Sequence, residues 1–175
     1  MATGALNSNG VWLYGEDDSE ATFSALLNKL GNSVSSTLKG RVLQVQYVEA
    51  TAEVTSTSST PTSTGVSISF TPVSATSKIV IQAVINGIRK GADNLTAASF
   101  LIQKDGTSIQ QMYAFSAYTV TAGQYFSVSG QKVETSGSIT ARTYRTTIAR
   151  SSGTSTISCQ GDGGVSSLII WEVSQ

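Results

Sequence analysis

The chain has 175 residues, of which 13% are charged, and its 11 basic side chains balance its 11 acidic ones. It contains no histidine and a single cysteine. The lack of histidine excludes a Ser-His-Asp or Cys-His nucleophile pair, imidazole ligands for zinc and the usual general base near neutral pH. One cysteine excludes an internal disulfide. The net charge of zero argues against nucleic acid as a partner, because affinity for phosphates comes mostly from Lys and Arg.

Neither a membrane helix nor a signal peptide is visible in the sequence. No apolar run approaches the roughly 20 residues that a membrane helix needs, and the N-terminus lacks a basic region followed by an apolar one. We therefore expect a soluble protein that does not insert into membranes and is not exported. Its 28 serines and 22 threonines suggest disorder unless β-branched and aromatic residues recur at regular spacing.

The first 40 residues differ in pattern from the rest. They begin with an apolar patch formed by Val11, Trp12, Leu13 and Tyr14. The acidic run Glu16–Glu20 follows, and its carboxylates would complement the positive end of a helix dipole. One stripe of a 3.6-residue period is then formed by Phe23, Leu26, Leu27, Leu30 and Val34. Together these features predict an amphipathic helix over about residues 19–34.

The apolar stripe of this helix needs a cover, because an isolated helix of this length is marginal in water. The β-region, copies of the same helix in an oligomer, or another protein could provide that cover. Trp12 and Tyr14 favour a partner protein, since aromatic residues are enriched at interfaces. A core role for these two residues is the alternative.

From Arg41 onward, apolar and polar residues alternate with a period of two, which is typical of β-strands. Asp105-Gly106 lies between two strand-like runs and predicts a type I′ hairpin turn. The run Lys78–Ile88 is so apolar that we expect burial on both of its faces. Thr51–Thr64 predicts a mobile loop or a weak edge strand. The strands are expected over 43–47, 66–70, 78–88, 100–104, 107–112, 124–133, 139–148, 154–159 and 167–173, as in an antiparallel sandwich or barrel.

Few residues could support catalysis or bind a metal. No spacing pairs the carboxylates of this region as a glycosidase would require: Glu49, Glu53, Asp93, Asp105, Glu134, Asp162 and Glu172. The segment Gly161–Gly164 lacks the repeated Asp/Asn ligands of a calcium loop and predicts a tight turn. Cys159 is expected to be a small buried hydrophobe. We expect no enzyme, no catalytic residue, no metal and no cofactor.

Arg142, Arg145 and Arg150, with Tyr144 between them, are the only concentration of basic residues. Strand alternation places Arg142 and Tyr144 on one face and Arg145 on the other, so the three arginines do not form one patch. Solvated strand faces are the main interpretation. The alternatives are contact with an anion or an acidic sugar, and pairing across a subunit interface.

Several stretches, taken in order, resemble a known family: Gly40–Gln46, Thr64–Pro72, Ser77–Ile81, Lys104–Thr107 and Ser166–Val173. They are similar to small bacteriophage virion proteins, such as minor tail, fibre and head-fibre proteins, whose C-terminal domain is a trimeric jelly roll like the tumour-necrosis-factor fold. The resemblance implies a mainly β protein, with an antiparallel β-sandwich (jelly roll) over residues 41–175 preceded by a short N-terminal amphipathic helix. Residues 1–40 would be a virion-anchoring segment.

The same resemblance implies partners and a location. A homotrimer would bury an aromatic-rich face at its axis, supplied by Tyr113, Phe115, Tyr118, Tyr125 and Phe126; an ordinary monomer core is the alternative. Tail, portal or capsid proteins would contact the anchor residues Val11, Trp12, Leu13, Tyr14, Phe23, Leu26, Leu27 and Leu30. The expected location is the virion, after synthesis in the host cytoplasm.

Three functions follow from these expectations. The first is a tail fibre or spike-type minor tail protein that displays its β-domain for contact with host-surface glycan. The second is a capsid decoration protein or head fibre that binds no receptor. The third, a glycan-cleaving enzyme, is disfavoured by the missing histidine and the absence of a recognisable carboxylate pair. The loops that could contact a receptor are Ala92–Thr96, Ser116–Gly123 and Gly161–Gly164.

Overall fold

The computed structural model describes residues 25, 27–33, 40–92, 95–116 and 125–175, and for residues 113–116 it describes the backbone. The chain divides into two units, residues 1–41 together with Gln175, and Val42–Ser174. In the first unit, residues 27–33 form helix α1, within the predicted amphipathic helix. Leu27 is exposed on α1 and Leu30 is half-buried. Phe23, Leu26 and Val34 lie outside the described residues.

In the described residues of the second unit, the regular elements are strands and one 3₁₀ turn. The strands are β1 (Val42–Ala50), β2 (Val54–Ser56), β3 (Thr62–Phe70), β4 (Lys78–Lys90), β5 (Ala97–Lys104), β6 (Thr107–Ser116), β7 (Phe126–Thr135), β8 (Arg142–Ser152), β9 (Ile157–Cys159) and β10 (Ser166–Val173). The 3₁₀ turn is Gly161–Gly163.

The strands form two antiparallel sheets. One has the order β1-β10-β4-β9-β2, with β7 also paired to β4, and the other has the order β3-β8-β5-β6. Apart from the short β2 and β9, the pairings are nested along the chain: β1 with β10, β3 with β8, β4 with β7 and β5 with β6. This nesting is the topology of an eight-stranded jelly roll. The predicted mainly β fold with a sandwich arrangement is confirmed.

The core lies between the two sheets, because one side of most strands carries the apolar residues. In β3, Val66, Ile68 and Phe70 are buried while the residues between them are exposed. They pack with inward-facing residues of β4, β5, β8 and β10 in one cluster. A second cluster, at the other end of β4, includes Phe100 and Ile148.

Strand β4 departs from the expectation of burial on both faces. Ile79, Ile81 and Ala83 are fully buried, whereas Val80 is half-buried and Gln82 is exposed. The expectation was wrong for the second face, because the other sheet covers only the inner one. The outward-facing residues of this apolar strand, such as Val80, therefore lie outside the core.

The predicted hairpin turn is confirmed. Asp105 and Gly106 join β5 to β6 with φ angles of 50° and 82°, and Lys104 pairs with Thr107. Positive φ at both central residues is the requirement of a type I′ turn. Oδ1 of Asp105 also accepts the backbone N–H of Thr143 at 2.8 Å, which ties the turn to β8.

The hydroxyl-rich stretch Thr51–Thr64 contains strand structure. β2 lies at the edge of the six-stranded sheet and pairs only three residues with β9, as the weak-edge-strand interpretation predicts. β3 begins at Thr62, earlier than expected. Strand β8, in turn, begins at Arg142 rather than at Ile139.

Candidate functional site

The candidate site is the face of the six-stranded sheet that points away from the core, here called the outer face. The antiparallel register aligns Val45 with Trp171, Trp171 with Val80, and Val80 with Val133. These four apolar residues form a continuous row across β1, β10, β4 and β7. Val45 is 50% exposed and Val133 is 51% exposed, so the row is accessible from solvent.

The next row along the same strands is partly apolar. It consists of Tyr47, Ile169, Gln82 and Gln131, and Tyr47 is 55% exposed. A contiguous exposed apolar patch marks an interaction surface more often than a single exposed hydrophobe does. The apolar residues of the two rows are named the apolar zone: Val45, Trp171, Val80, Val133, Tyr47 and Ile169.

Charge is sparse on this part of the outer face. Along β1, β7, β10 and residues 78–86 of β4, all of them described, the outward-facing positions carry one acid, Glu49, and one base, Lys78. The hydroxyl of Tyr47 donates to Glu49, and Nζ of Lys78 donates to Thr135 at 2.8 Å. Interface cores are depleted in charge in the same way.

Beyond the apolar zone, β4 contains a β-bulge that changes the chemistry of the outer face. The register with β7 shifts between Ile85 and Ile88, and Gly87 adopts a φ of 60°. A Cβ at Gly87 would overlap the carbonyl oxygen of Gly161, so the backbones can approach this closely only without a side chain. The extra residue keeps Ile88 buried and leaves Arg89 partly exposed on the outer face.

Arg89 is the centre of a polar group that we name the Arg89 cluster, formed with Glu53, Tyr125 and Ser158. Its guanidinium donates from Nη2 to Glu53 Oε1 at 2.7 Å, from Nε to Ser158 Oγ at 3.2 Å, and from Nη1 to the Tyr125 hydroxyl at 3.4 Å. The nearby carboxylate and hydroxyl raise the pKa of Arg89, so it stays charged. Three separate segments of the chain thus converge on the guanidinium carried by a fourth.

The 3₁₀ turn lies beneath this cluster. A Cβ at Gly161 would lie 3.5 Å from Cε1 of Tyr125 and 3.6 Å from Oε1 of Glu53. Gln160, just before the turn, is buried in the left-handed region at φ 57° and donates from Nε2 to the carbonyl of Thr64 at 3.2 Å. The tight turn predicted for Gly161–Gly164 is therefore present, closed by the N–H of Gly164 on the carbonyl of Gly161.

The aromatic residues predicted for the trimer interface lie in different environments. Tyr125 is on the outer face, whereas Phe126 is half-buried and meets the ring of Phe100 edge-to-face at 6.3 Å. Tyr113 and Phe115 belong to residues 113–116 of β6, the part of that strand for which only the backbone is described. Tyr118 lies outside the described residues, so the aromatic trimer interface stays a prediction.

Most of the predicted anchor residues also lie outside the described part of the chain: Val11, Trp12, Leu13, Tyr14, Phe23 and Leu26. Leu27 and Leu30 belong to α1. Their assignment to a virion interface is likewise still a prediction.

The solvated-face interpretation is wrong for Arg142, which is only 8% exposed. Its guanidinium donates to the carbonyl oxygens of Ser136 at 2.8 Å and Ser138 at 2.9 Å, and it lies 3.8 Å from a carboxylate oxygen of Glu134. Arg142 points inward at the sandwich edge, where the β7–β8 loop wraps around it. Its donors are occupied inside the fold rather than presented to a ligand.

Glu134 joins the two sheets at this edge. It accepts hydrogen bonds from the Tyr144 hydroxyl at 2.6 Å and from Lys104 Nζ at 2.9 Å. Burial raises the pKa of Tyr144, and the bond to Glu134 raises it further. Arg145 and Arg150 are half-buried and donate to Gln103 Oε1 and to the carbonyl of Thr154.

Sequence reasoning missed both the apolar zone and the Arg89 cluster. One signal for the apolar zone was present, since Leu168–Trp171 is a continuous apolar run in which only alternate residues can face the core. The Arg89 cluster had no such signal, because its four members come from distant segments. The turn at Gly161–Gly164 was among the loops expected to contact a receptor.

Among the described residues, no three or more Cys, Asp or Glu side chains are grouped so as to hold a metal ion. Over the same ranges, no helix has the length and apolar character to cross a membrane.

No family model matches the sequence, and no curated protein matches it either. Among solved structures, the chain is similar to Eiger TNF from S. frugiperda, with 9% identity and a TM-score of 0.45 over 77% of this chain and 95% of that one. It is similar to a chain of infectious bursal disease virus Gx strain, with 13% identity and a TM-score of 0.40 over 75% of this chain and 32% of that one. It is also similar to the EclA C-terminal domain, a sugar-binding protein, with 12% identity and a TM-score of 0.32 over 71% of this chain and 78% of that one.

These TM-scores are low, so the similarities establish neither a family nor a function.

Proposed function

We propose that this chain is a non-enzymatic structural protein of a bacteriophage virion, a minor tail or tail-fibre type protein. Its jelly roll assembles into a homotrimer and is displayed for contact with host-surface glycan. The phage assignment rests on the resemblance of the sequence motifs. The observation that carries self-assembly is the apolar zone of the outer face.

The size of the apolar zone supports an interface between copies. Four strands about 4.8 Å apart, with outward residues about 7 Å apart along each strand, place the Cα atoms of the two rows within roughly 14 Å by 7 Å. Burying apolar surface contributes about 25 cal/mol per Å². A standard interface buries about 800 Å² per partner, so the apolar zone would be its centre, with polar residues around it.

The composition of the apolar zone favours contact with a protein surface rather than exposure to solvent. Trp171 and Tyr47 belong to the residue types enriched at interfaces, and neither row contains a charged side chain. The amide pair Gln82 and Gln131 could form hydrogen bonds within such a contact without the desolvation cost of a charge.

The first unit supports attachment to other virion proteins. Leu27 exposes an apolar side chain on α1, a short helix that gains stability when its apolar stripe is covered. We assign residues 1–40 the role of the anchoring segment, and tail, portal or capsid proteins the role of its partner.

Sedimentation of the full chain tests this function. A homotrimer is expected at three times the 18.2 kDa chain mass at micromolar concentration. A monomer would contradict self-assembly, and a dimer would contradict threefold symmetry. Immunogold labelling of intact particles then locates the protein, and its absence from particles would contradict the virion assignment.

A further inference from the structure

The Arg89 cluster has the layout of a small binding site on the outer face. Tyr125 is 47% exposed, and the side chains of Arg89 and Glu53 are 42% and 36% exposed. Gly161 is buried beneath Tyr125 and Glu53, where a Cβ would contact Cε1 of the ring at 3.5 Å and Oε1 of the carboxylate at 3.6 Å. An aromatic surface, a donor group and an acceptor group thus lie side by side on the outer face.

The free hydrogen-bonding capacity of the cluster suits a polyhydroxylated ligand. A guanidinium has five N–H donors, and the bonds within the described residues use one on each nitrogen of Arg89. Glu53 accepts the Arg89 bond through Oε1, and its Oε2 accepts no bond from any described residue. One donor and one acceptor side by side can bind two adjacent hydroxyl groups, because each hydroxyl both donates and accepts.

The charges of the cluster favour a neutral ligand. The Arg89–Glu53 ion pair, 2.7 Å between Nη2 and Oε1, cancels the two charges. A negatively charged ligand gains no attraction from a pair without net charge and is repelled by Glu53, whereas a neutral ligand is not repelled. Tyr125 adds an amphipathic ring that can stack against the apolar face of a ligand.

The site is also held in place before any ligand arrives. Arg89 is tied to three neighbours at once. The turn beneath it is positioned by the hydrogen bond from Gln160 N–H to the carbonyl of Asn86, at 2.9 Å. Side chains fixed in this way lose little entropy on binding.

We propose that the Arg89 cluster binds a pyranose ring of a neutral sugar, with the ring stacked on Tyr125 and two adjacent hydroxyls bonded to Arg89 and Glu53. The inference deepens the proposed host-surface contact and rests on it. The ligand class is a neutral glycan, and affinity for a single residue is weak, with a Kd on the order of 1 mM.

Saturation-transfer NMR on the full chain tests the proposal. The neutral probes are the methyl pyranosides of glucose, galactose, mannose and N-acetylglucosamine. The acidic probe is the methyl glycoside of N-acetylneuraminic acid. We expect saturation transfer from the protein to at least one neutral probe. No transfer to any neutral probe, or transfer to the acidic probe alone, would overturn the proposal.

Three variants locate the site. Tyr125→Ala removes the stacking surface and should abolish transfer, whereas Tyr125→Phe retains the ring and should retain most of it. Glu53→Ala removes the carboxylate that accepts from Arg89 and should weaken binding at least tenfold. Val73→Ala, at an exposed residue outside the Arg89 cluster, is the matched control and should bind like the unchanged protein.

The same variants separate this inference from the proposed function. Each is sedimented beside the unchanged protein, and all are expected to keep its oligomeric state. If Tyr125→Ala dissociates the oligomer, Tyr125 lies at a subunit interface and the sugar site is overturned. If the neutral probes fail to bind a stable trimer that is present in particles, the inference alone fails and the structural function stands.

Discussion

The carboxylate of Glu172 accepts a hydrogen bond from the hydroxyl of Ser77 at 2.6 Å, although the two residues are 95 positions apart in the chain. The same buried carboxylate accepts the backbone N–H groups of Val73 at 2.8 Å and Ser74 at 2.9 Å, and Nε2 of Gln44 at 2.6 Å. Among the described residues, no Lys or Arg pairs with it. Glu172 therefore holds the β3–β4 loop against β1 and β10 through hydrogen bonds alone.

This arrangement predicts acid sensitivity. Burial alone would raise the pKa of Glu172, but the hydrogen bonds from Ser77, Val73, Gln44 and Ser74 outweigh it and lower the pKa. A carboxyl with a lowered folded-state pKa contributes stability above its unfolded pKa, about 4.3 for Glu. That contribution is lost as the pH falls through the folded-state value.

Replacing Glu172 by Gln should therefore destabilise the protein by about 1.5–3 kcal/mol at pH 7, the worth of hydrogen bonds to a charged group. The difference should shrink as the pH falls below the unfolded pKa. Urea denaturation at fixed protein concentration, at neutral and acid pH, measures it. The exposed Glu49→Gln is the control, and an equal loss in both variants would contradict the role of Glu172.

Introducing a charge into the apolar zone should break the oligomer. In Val45→Glu, association would have to bury a carboxylate, whose desolvation is not compensated by a partner. Sedimentation at micromolar concentration should show monomers that retain the far-ultraviolet circular dichroism of the unchanged protein. Val73→Glu, also at an exposed valine, should remain assembled. An intact oligomer in Val45→Glu would place the interface elsewhere.

The contribution of the bulge in β4 to stability can be tested at Gly87, with Gly106 as the control because its φ is also positive. Gly87 and Gly106 have φ angles of 60° and 82°, but a Cβ at Gly106 meets nothing within 4 Å, whereas one at Gly87 would overlap Gly161. Alanine at either position should cost about 1–2 kcal/mol for the left-handed backbone. Gly87→Ala should cost a further ~2 kcal/mol for the overlap. Equal losses on urea denaturation would show that the close approach of the two backbones is unimportant.

The single thiol should be inert in the native protein. Cys159 is fully buried, and burial raises the pKa of its thiol to about 12. The thiolate is the reactive species, so native protein at pH 8 should not react with a disulfide reagent such as DTNB, while urea-unfolded protein should react at once. Val73→Cys supplies an exposed thiol that reacts in the folded state. Rapid loss of both thiols in that folded variant would contradict the burial of Cys159.

The anchoring segment can be tested on α1. Leu27→Asp places a charge on the apolar stripe, and incorporation into particles should fall while the oligomeric state is unchanged. Asn32→Asp adds the same charge at another exposed position of the helix, and its incorporation should match that of the unchanged protein. Normal incorporation of Leu27→Asp would argue against the stripe as the attachment surface.

Features that depend only on a few neighbouring residues could be predicted from the sequence. The hairpin at Asp105-Gly106 needs only two residues that tolerate positive φ between two strand-like runs. The alternation along β3 follows from short-range periodicity, and the burial of Cys159 follows from the hydrophobic character of its residue type. Arg142 was assigned wrongly because alternation gives the face on which a side chain lies, and not whether a loop folds over that face.

The sequence alone determined the approximate positions of most strands and turns and the low charge of the β-region, because period-two alternation and turn chemistry act over a few residues. Only the tertiary structure decided that Val45, Trp171, Val80 and Val133 share one row, that Arg89 meets Glu53 and Tyr125, and that Glu172 meets Ser77. The physical reason is the nested pairing of the jelly roll. This pairing brings β1 against β10. No local pattern specifies the register between two strands so far apart in the sequence.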